Sequence, residues 1–169
     1  VQGGKPNRLA DRSAPAQEAT MPVHPFEAVE RDELRWLYGY WKAKRGERSA
    51  PGRADIDPLE MPKLLPSLSI IDRPNGAYRV RLCGSKLAEI YGRELTGAPV
   101  APETFGDSTN YWISLHDRLF ERCEPLFGMD SLAWDGRKYI VFDWGAFPVV
   151  DDTGAVCEEL WCLLFKNFG

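Results

Sequence analysis

The sequence predicts an α+β domain in which five antiparallel strands form one sheet, short helices and one long helix cover one face, and an amphipathic helix precedes the whole. Three observations carry that expectation. Asn75-Gly76 lies between two apolar runs, residues 68–72 and 78–82, which is a strong short-range signal for a hairpin. Residues 109–122 keep apolar side chains at helical spacing over several turns. Three strand-like runs then close the chain, over residues 124–134, 138–148 and 155–165, parted by Asp135-Gly136 and by Asp151-Asp152-Thr153-Gly154.

Size and composition set limits. A chain of 169 residues with 44% apolar and 12% aromatic residues can fill one domain with a bulky core, and two full domains would be cramped. The formal net charge of -4 provides no global positive field, so neither nucleic acid nor an anionic membrane is expected as a partner. Cys83, Cys123, Cys157 and Cys162 form no Cys-x-x-Cys and no metal-ligand spacing, and reading them as free thiols points to a reducing cytoplasm. No apolar run is long enough to span a bilayer, and the first residues lack a basic and then apolar leader pattern.

Residues 1–26, rich in Gly, Pro, Ala and Ser, read as mobile or loosely docked. They open on Val1-Gln2-Gly3-Gly4 without Met, and are set apart from the fold as a fragment boundary or a partly non-native segment. Residues 27–50 hold the amphipathic helix, with Leu34, Leu37, Tyr38 and Trp41 at helical spacing. Its acids (Glu30, Asp32, Glu33) come early and its bases (Lys42, Lys44, Arg45) late, which complements the helix dipole, and Gly46 is the expected stop. The aromatic surplus on this helix either packs on a sheet or serves a second chain, so Trp36, Leu37, Tyr40 and Trp41 are the interaction candidates.

Residues 51–169 form the expected core. In Arg53-Ala54-Asp55-Ile56-Asp57-Pro58, Asp57 can cap a turn beginning at Pro58, and Arg53 and Asp55 read as loop braces because no His or nucleophile lies beside them. Alternation places Tyr78, Val80 and Leu82 on one face of their strand, and Arg79, Arg81 and Cys83 on the other. If that second face looks inward, Arg81 anchors an anionic ligand group or pairs with an acid such as Asp72; if it faces solvent, both arginines are ordinary surface residues. The strand ends at Gly84, Ser85 is placed to cap a short helix carrying Leu87, Ile90 and Tyr91, and Gly92 stops it. On the long helix, capped by Asp107 or Ser108, Trp112, Leu115 and Leu119 point inward. His116 on its flank reads as solvent-facing or hydrogen-bonded rather than as a metal or haem ligand. Gly145 marks a bulge or a close approach.

The aromatic helix Leu37-Tyr38-Gly39-Tyr40-Trp41, the loop from Arg53 to Pro58, Leu64-Leu65-Pro66, Asp72, Arg81-Leu82, Gly84 and the turn Gly92-Arg93-Glu94-Leu95-Thr96-Gly97 together resemble the PAS domain family. The branch is that of small, mostly stand-alone PAS proteins of alphaproteobacteria, and the resemblance runs over residues 34–165. It implies a PAS-like fold and a cytoplasmic sensory or interaction module, with no particular ligand or reaction. Light-sensing flavin members carry a reactive Cys where this chain has Gly92-Arg93-Glu94-Leu95, and haem-sensing members use a supported His on the long helix. The resemblance therefore argues against a photoactive flavin and against haem, and leaves an unidentified small organic ligand. With no kinase, cyclase or DNA-binding segment after the last strand, output is expected through a partner signalling protein, a second copy or the N-terminal helix.

The expected ligand-lining residues are Tyr91, Leu95, Phe105, Trp112, Leu115, Trp134 and Phe142, with Arg81 as polar anchor; the same aromatics also suit a filled core. Gly84, Gly92 and Gly97 join Arg53, Asp55, Asp57 and Asp72 as structural positions. No nucleophile with a base, metal set or phosphate loop is found, so no enzyme is expected. The leading expectation is a non-enzymatic sensor or adaptor, and the alternative is a ligand-free module that acts as a homodimer through the N-terminal helix.

Overall fold

The computed structural model describes residues 23–132 and 135–166. Its strands are β1 (Val23–His24), β2 (Leu68–Asp72), β3 (Arg79–Cys83), β4 (Leu126–Leu132), β5 (Arg137–Val150) and β6 (Val156–Phe165). Its helices are α1 (Asp32–Arg45), α2 (Ser85–Tyr91), α3 (Pro102–Phe105) and α4 (Thr109–Arg122), joined by short 3-10 turns. The strands make one antiparallel sheet in the order β1-β4-β5-β6-β2-β3. The class is α+β as expected, with six strands in place of five. The sixth is β1, where Val23 pairs with Gly128 and His24 with Phe127. A strand of two residues has no period to read. Residues 1–22 of the segment expected to be mobile lie outside the described residues, and the remainder supplies β1 and the first turn.

Both faces of the sheet are covered. In β6, Trp161, Leu163 and Phe165 belong to a core shared with Leu87 and Ile90 of α2 and Trp112, Leu115 and Leu119 of α4. Leu160, Cys162 and Leu164 belong to a second core with Leu34, Leu37 and Trp41 of α1. A strand buried on both faces must be apolar at odd and even positions alike, which is why residues 160–165 read as one continuous run. α1 ends as its sequence dictates, at Gly46 with φ of 59°. Its Leu37 and Trp41 are 0% and 1% exposed, and the Trp41 indole N–H donates to the Pro148 carbonyl at 2.8 Å. Trp36, on the other side of the helix, is 47% exposed and stacks on Tyr40 with ring centroids 5.4 Å apart.

β3 departs from simple alternation. Ile70 pairs with Leu82 and Ile71 with Val80, so Arg81 is the extra residue of a β-bulge. The bulge returns Cys83 to the inner face beside Val80 and leaves Leu82 exposed, the reverse of what period two predicts for both. Just beyond it, Gly84 rather than Ser85 occupies the N-cap of α2, and its carbonyl accepts from the Ala88 N–H at 3.1 Å. A Cβ at Gly84 would lie 2.5 Å from the Pro66 carbonyl oxygen, so only glycine lets the strand pass the 65–67 turn. Gly92, with φ of 72°, closes α2 as expected.

The packing of α1 yields a paired expectation. Leu37→Ala should lower the unfolding free energy by about 2–5 kcal/mol, as a fully buried leucine does, whereas Trp36→Ala should cost about 1 kcal/mol or less. Equal losses in urea titrations of the two variants would contradict α1 lying on its own sheet.

Candidate functional site

Between the sheet and the helices of the first core lies a cavity of about 60 Å3. Ser69 and Ile71 of β2, Val80 and Cys83 of β3, and Trp161 and Leu163 of β6 supply its sheet side. Leu87 and Tyr91 of α2, Leu95, Phe105 of α3, and Trp112 and His116 of α4 supply the rest. The volume equals the share of about two water molecules in the liquid. The space is partly open to solvent. Residues 85–105 and α4 form the walls outside the sheet, and the first is held by Arg137 Nη1 donating to the Ile90 carbonyl at 2.6 Å and Arg93 Nη2 donating to the Thr104 carbonyl at 3.1 Å.

Tyr91, Leu95, Phe105 and Trp112 of the expected set line this cavity, while Leu115 and Phe142 share its core cluster without lining it. Trp134 lies outside the described residues. Arg81 is not a lining residue: from the bulge its Nη1 reaches Glu158 Oε2 at 2.6 Å, and Arg53 Nε meets the same oxygen at 2.9 Å. Asp72, the cross-strand partner of Glu158, is held instead by Arg79, with Nε donating at 3.0 Å and Nη2 at 2.6 Å. Two adjacent buried acids thus receive three arginines, an arrangement that braces the strands and the loop at residues 53–55. Asp55 accepts from the Gly52 N–H at 2.8 Å and Asp57 from the Leu59 N–H at 2.9 Å, and the Gly97 N–H donates to the Val80 carbonyl at 2.6 Å.

His116 is the polar feature that its flank position on the helix obscures. It is 4% exposed, and its Nδ1 lies 2.6 Å from Glu159 Oε2. The Trp161 indole N–H donates to that same oxygen at 2.6 Å, and Oε1 of the fully buried Glu159 has no partner among the described residues. An unaided buried carboxylate is costly, so the imidazole and indole donors are what make Glu159 tolerable. The spacing Trp112, His116, Leu119 was the available signal, since residues three and four apart share a helix face.

A second buried acid, Asp130, takes Trp144 Nε1 at 2.9 Å and the Tyr111 hydroxyl at 3.0 Å on Oδ2, with Oδ1 unpartnered among the described residues. Burial pushes its carboxyl up to about 6, against the opposing hydrogen bonds from Trp144 and Tyr111. Burial and then the Glu94 charge push the Cys83 thiol up to about 11, so it stays protonated and unreactive at neutral pH. Among the described residues no three His, Cys, Asp or Glu side chains group as a metal site, and no helix is long and apolar enough to cross a membrane.

An antiparallel sheet with short helices and one long helix over a small space on one face is an α+β arrangement. Residues 29–130, more than half of the chain, match the sequence model described as PAS domain, and the chain belongs to that family. Comparison with curated proteins and with solved structures gave no match.

Asp130 gives the core beside the cavity a pH signature. Its folded-state value lies above the ordinary 3.8, so the folded protein binds the proton more tightly and this group's contribution to stability is lost as pH rises through about 6. In Asp130→Asn the part of the stability profile between about pH 4 and about pH 6 should flatten; an unchanged profile in denaturant titrations would refute the assignment.

Proposed function

We propose that the protein is a non-enzymatic PAS sensor or adaptor of the cytoplasm that binds a small molecule in this cavity and signals through protein contacts. The observation that carries the reading is the cavity's position on β6. Trp161 and Leu163 touch the cavity, and the alternate residues Leu160, Cys162 and Leu164 pack in the α1 core. A guest that shifts the first set biases the second through one rigid strand, which is a population shift readable at α1 by a partner signalling protein. Native mass spectrometry of the protein from a bacterial host should reveal an added small-molecule mass that disappears on mild denaturation. A mass equal to the bare chain, unchanged by metabolite mixtures, would remove the ligand from this reading.

Trp36 favours a second reading, a homodimer formed through the outer side of α1. It is a large half-exposed aromatic stacked on Tyr40, whose hydroxyl donates to Glu60 Oε2 at 2.5 Å and accepts from the Asp57 N–H at 2.9 Å. The rigid Tyr40 presents Trp36 outward at little entropic cost. Trp36→Glu should convert a dimer to monomer in sedimentation experiments while leaving the fold intact; a dimer that survives the change would exclude this surface.

A further inference from the structure

The polar atoms around the cavity are almost all committed within the protein. Ser69 Oγ donates to the Leu82 carbonyl at 3.0 Å, Trp112 Nε1 to Ser108 Oγ at 3.0 Å, and Trp161 Nε1 to Glu159. The Cys83 thiol is directed to the Gly84 carbonyl at 3.7 Å. His116 differs, because one ring nitrogen is pinned and the other is not needed for that bond. In the tautomer whose Nδ1–H donates to Glu159 Oε2, the imidazole lone pair is on Nε2. The buried Glu159 behind it fixes the tautomer and makes that lone pair a stronger acceptor, in the way a carboxylate behind a metal-bound histidine does.

The rest of the lining restricts what can meet that atom. Among the described residues no Lys or Arg side chain lines the cavity, and the nearby Glu159 carboxylate repels an anion. Tyr91, Phe105, Trp112 and Trp161 offer flat apolar walls. Resting on the sensor reading above, we propose that the cavity takes a neutral, flat, single-ring molecule with one O–H or N–H donor, which His116 Nε2 accepts. A benzene-sized guest needs a cavity of about 150 Å3, against about 60 Å3 here. Entry therefore widens the space at α2 and α3 and breaks the cover held by Arg93 and Arg137, while residues 97–100 stay bonded to the β3 edge.

The test uses the full chain and three probes: phenol, toluene, which replaces the hydroxyl by a methyl group, and benzoate. Calorimetric titration should find phenol bound about tenfold or more tightly than toluene, with benzoate weakest. His116→Phe should erase the preference while still binding both neutral rings. The chain has 2 histidines, so isotope-labelled histidine gives a spectrum in which phenol should move the Nε2 resonance of His116 and toluene should not. This readout stands even if the variant fails to fold. Equal binding of phenol and toluene, or tighter binding of benzoate, would overturn the donor assignment while leaving a ligand cavity in place. Failure of both neutral rings to bind would overturn the proposal, and the native mass measurement then decides separately whether any ligand occupies the cavity.

Discussion

The register of β6 is the constraint on which the remaining structure depends. The strand is hydrogen-bonded to β5 on one side and β2 on the other, and both of its faces are buried. A slip of one residue would carry every side chain to the opposite face. Glu159 would leave His116 and enter the apolar core beneath α1, while Leu160 and Cys162 would turn toward Trp112. Neither core alone fixes the register as firmly as the pair, because the polar triad of Glu159, His116 and Trp161 has a place on one side only.

Much of this was legible in the amino-acid sequence. α4 begins and ends where its apolar spacing predicts, α1 stops at Gly46, and Asn75-Gly76 turns the β2–β3 connection with both residues in the left-handed region, φ 55° and 83°. These are local signals: a helix period, a glycine stop, a turn dipeptide. Four cavity residues, Tyr91, Leu95, Phe105 and Trp112, were legible for the same reason, since they sit on or beside helices α2, α3 and α4.

What could not be read is what depends on pairing between distant segments. The bulge at Arg81 exists because β2 and β3 meet out of step, and nothing within residues 78–83 announces it. It alone moves Cys83 into the cavity lining and takes Arg81 to Glu158, 77 positions along the chain. The choice of sheet face by α1 was equally hidden, because an aromatic stripe fits a sheet of its own chain and a second copy alike. Gly145 fits the outcome: an added Cβ would sit 3.2 Å from a Leu34 methyl, so the helix approaches the sheet where the strand has no side chain. For His116 the sequence left solvent and a hydrogen bond open, and the structure shows the hydrogen bond. The burial of His116 follows from an acid 43 positions later that no helical pattern contains.

The outer edge of β3 has a different consequence. Val80 N–H donates to the Ala98 carbonyl at 2.8 Å, Val100 N–H to the Tyr78 carbonyl at 3.0 Å, and Arg79 bridges to Pro99, so the segment at residues 97–100 already occupies this border. Recognition by β-augmentation, in which a partner's extended peptide lengthens the sheet, is closed on that side. Any binding protein approaching β3 must read side chains, the guanidinium groups of Arg79 and Arg81 and the exposed Leu82, and cannot borrow main-chain affinity that is blind to sequence.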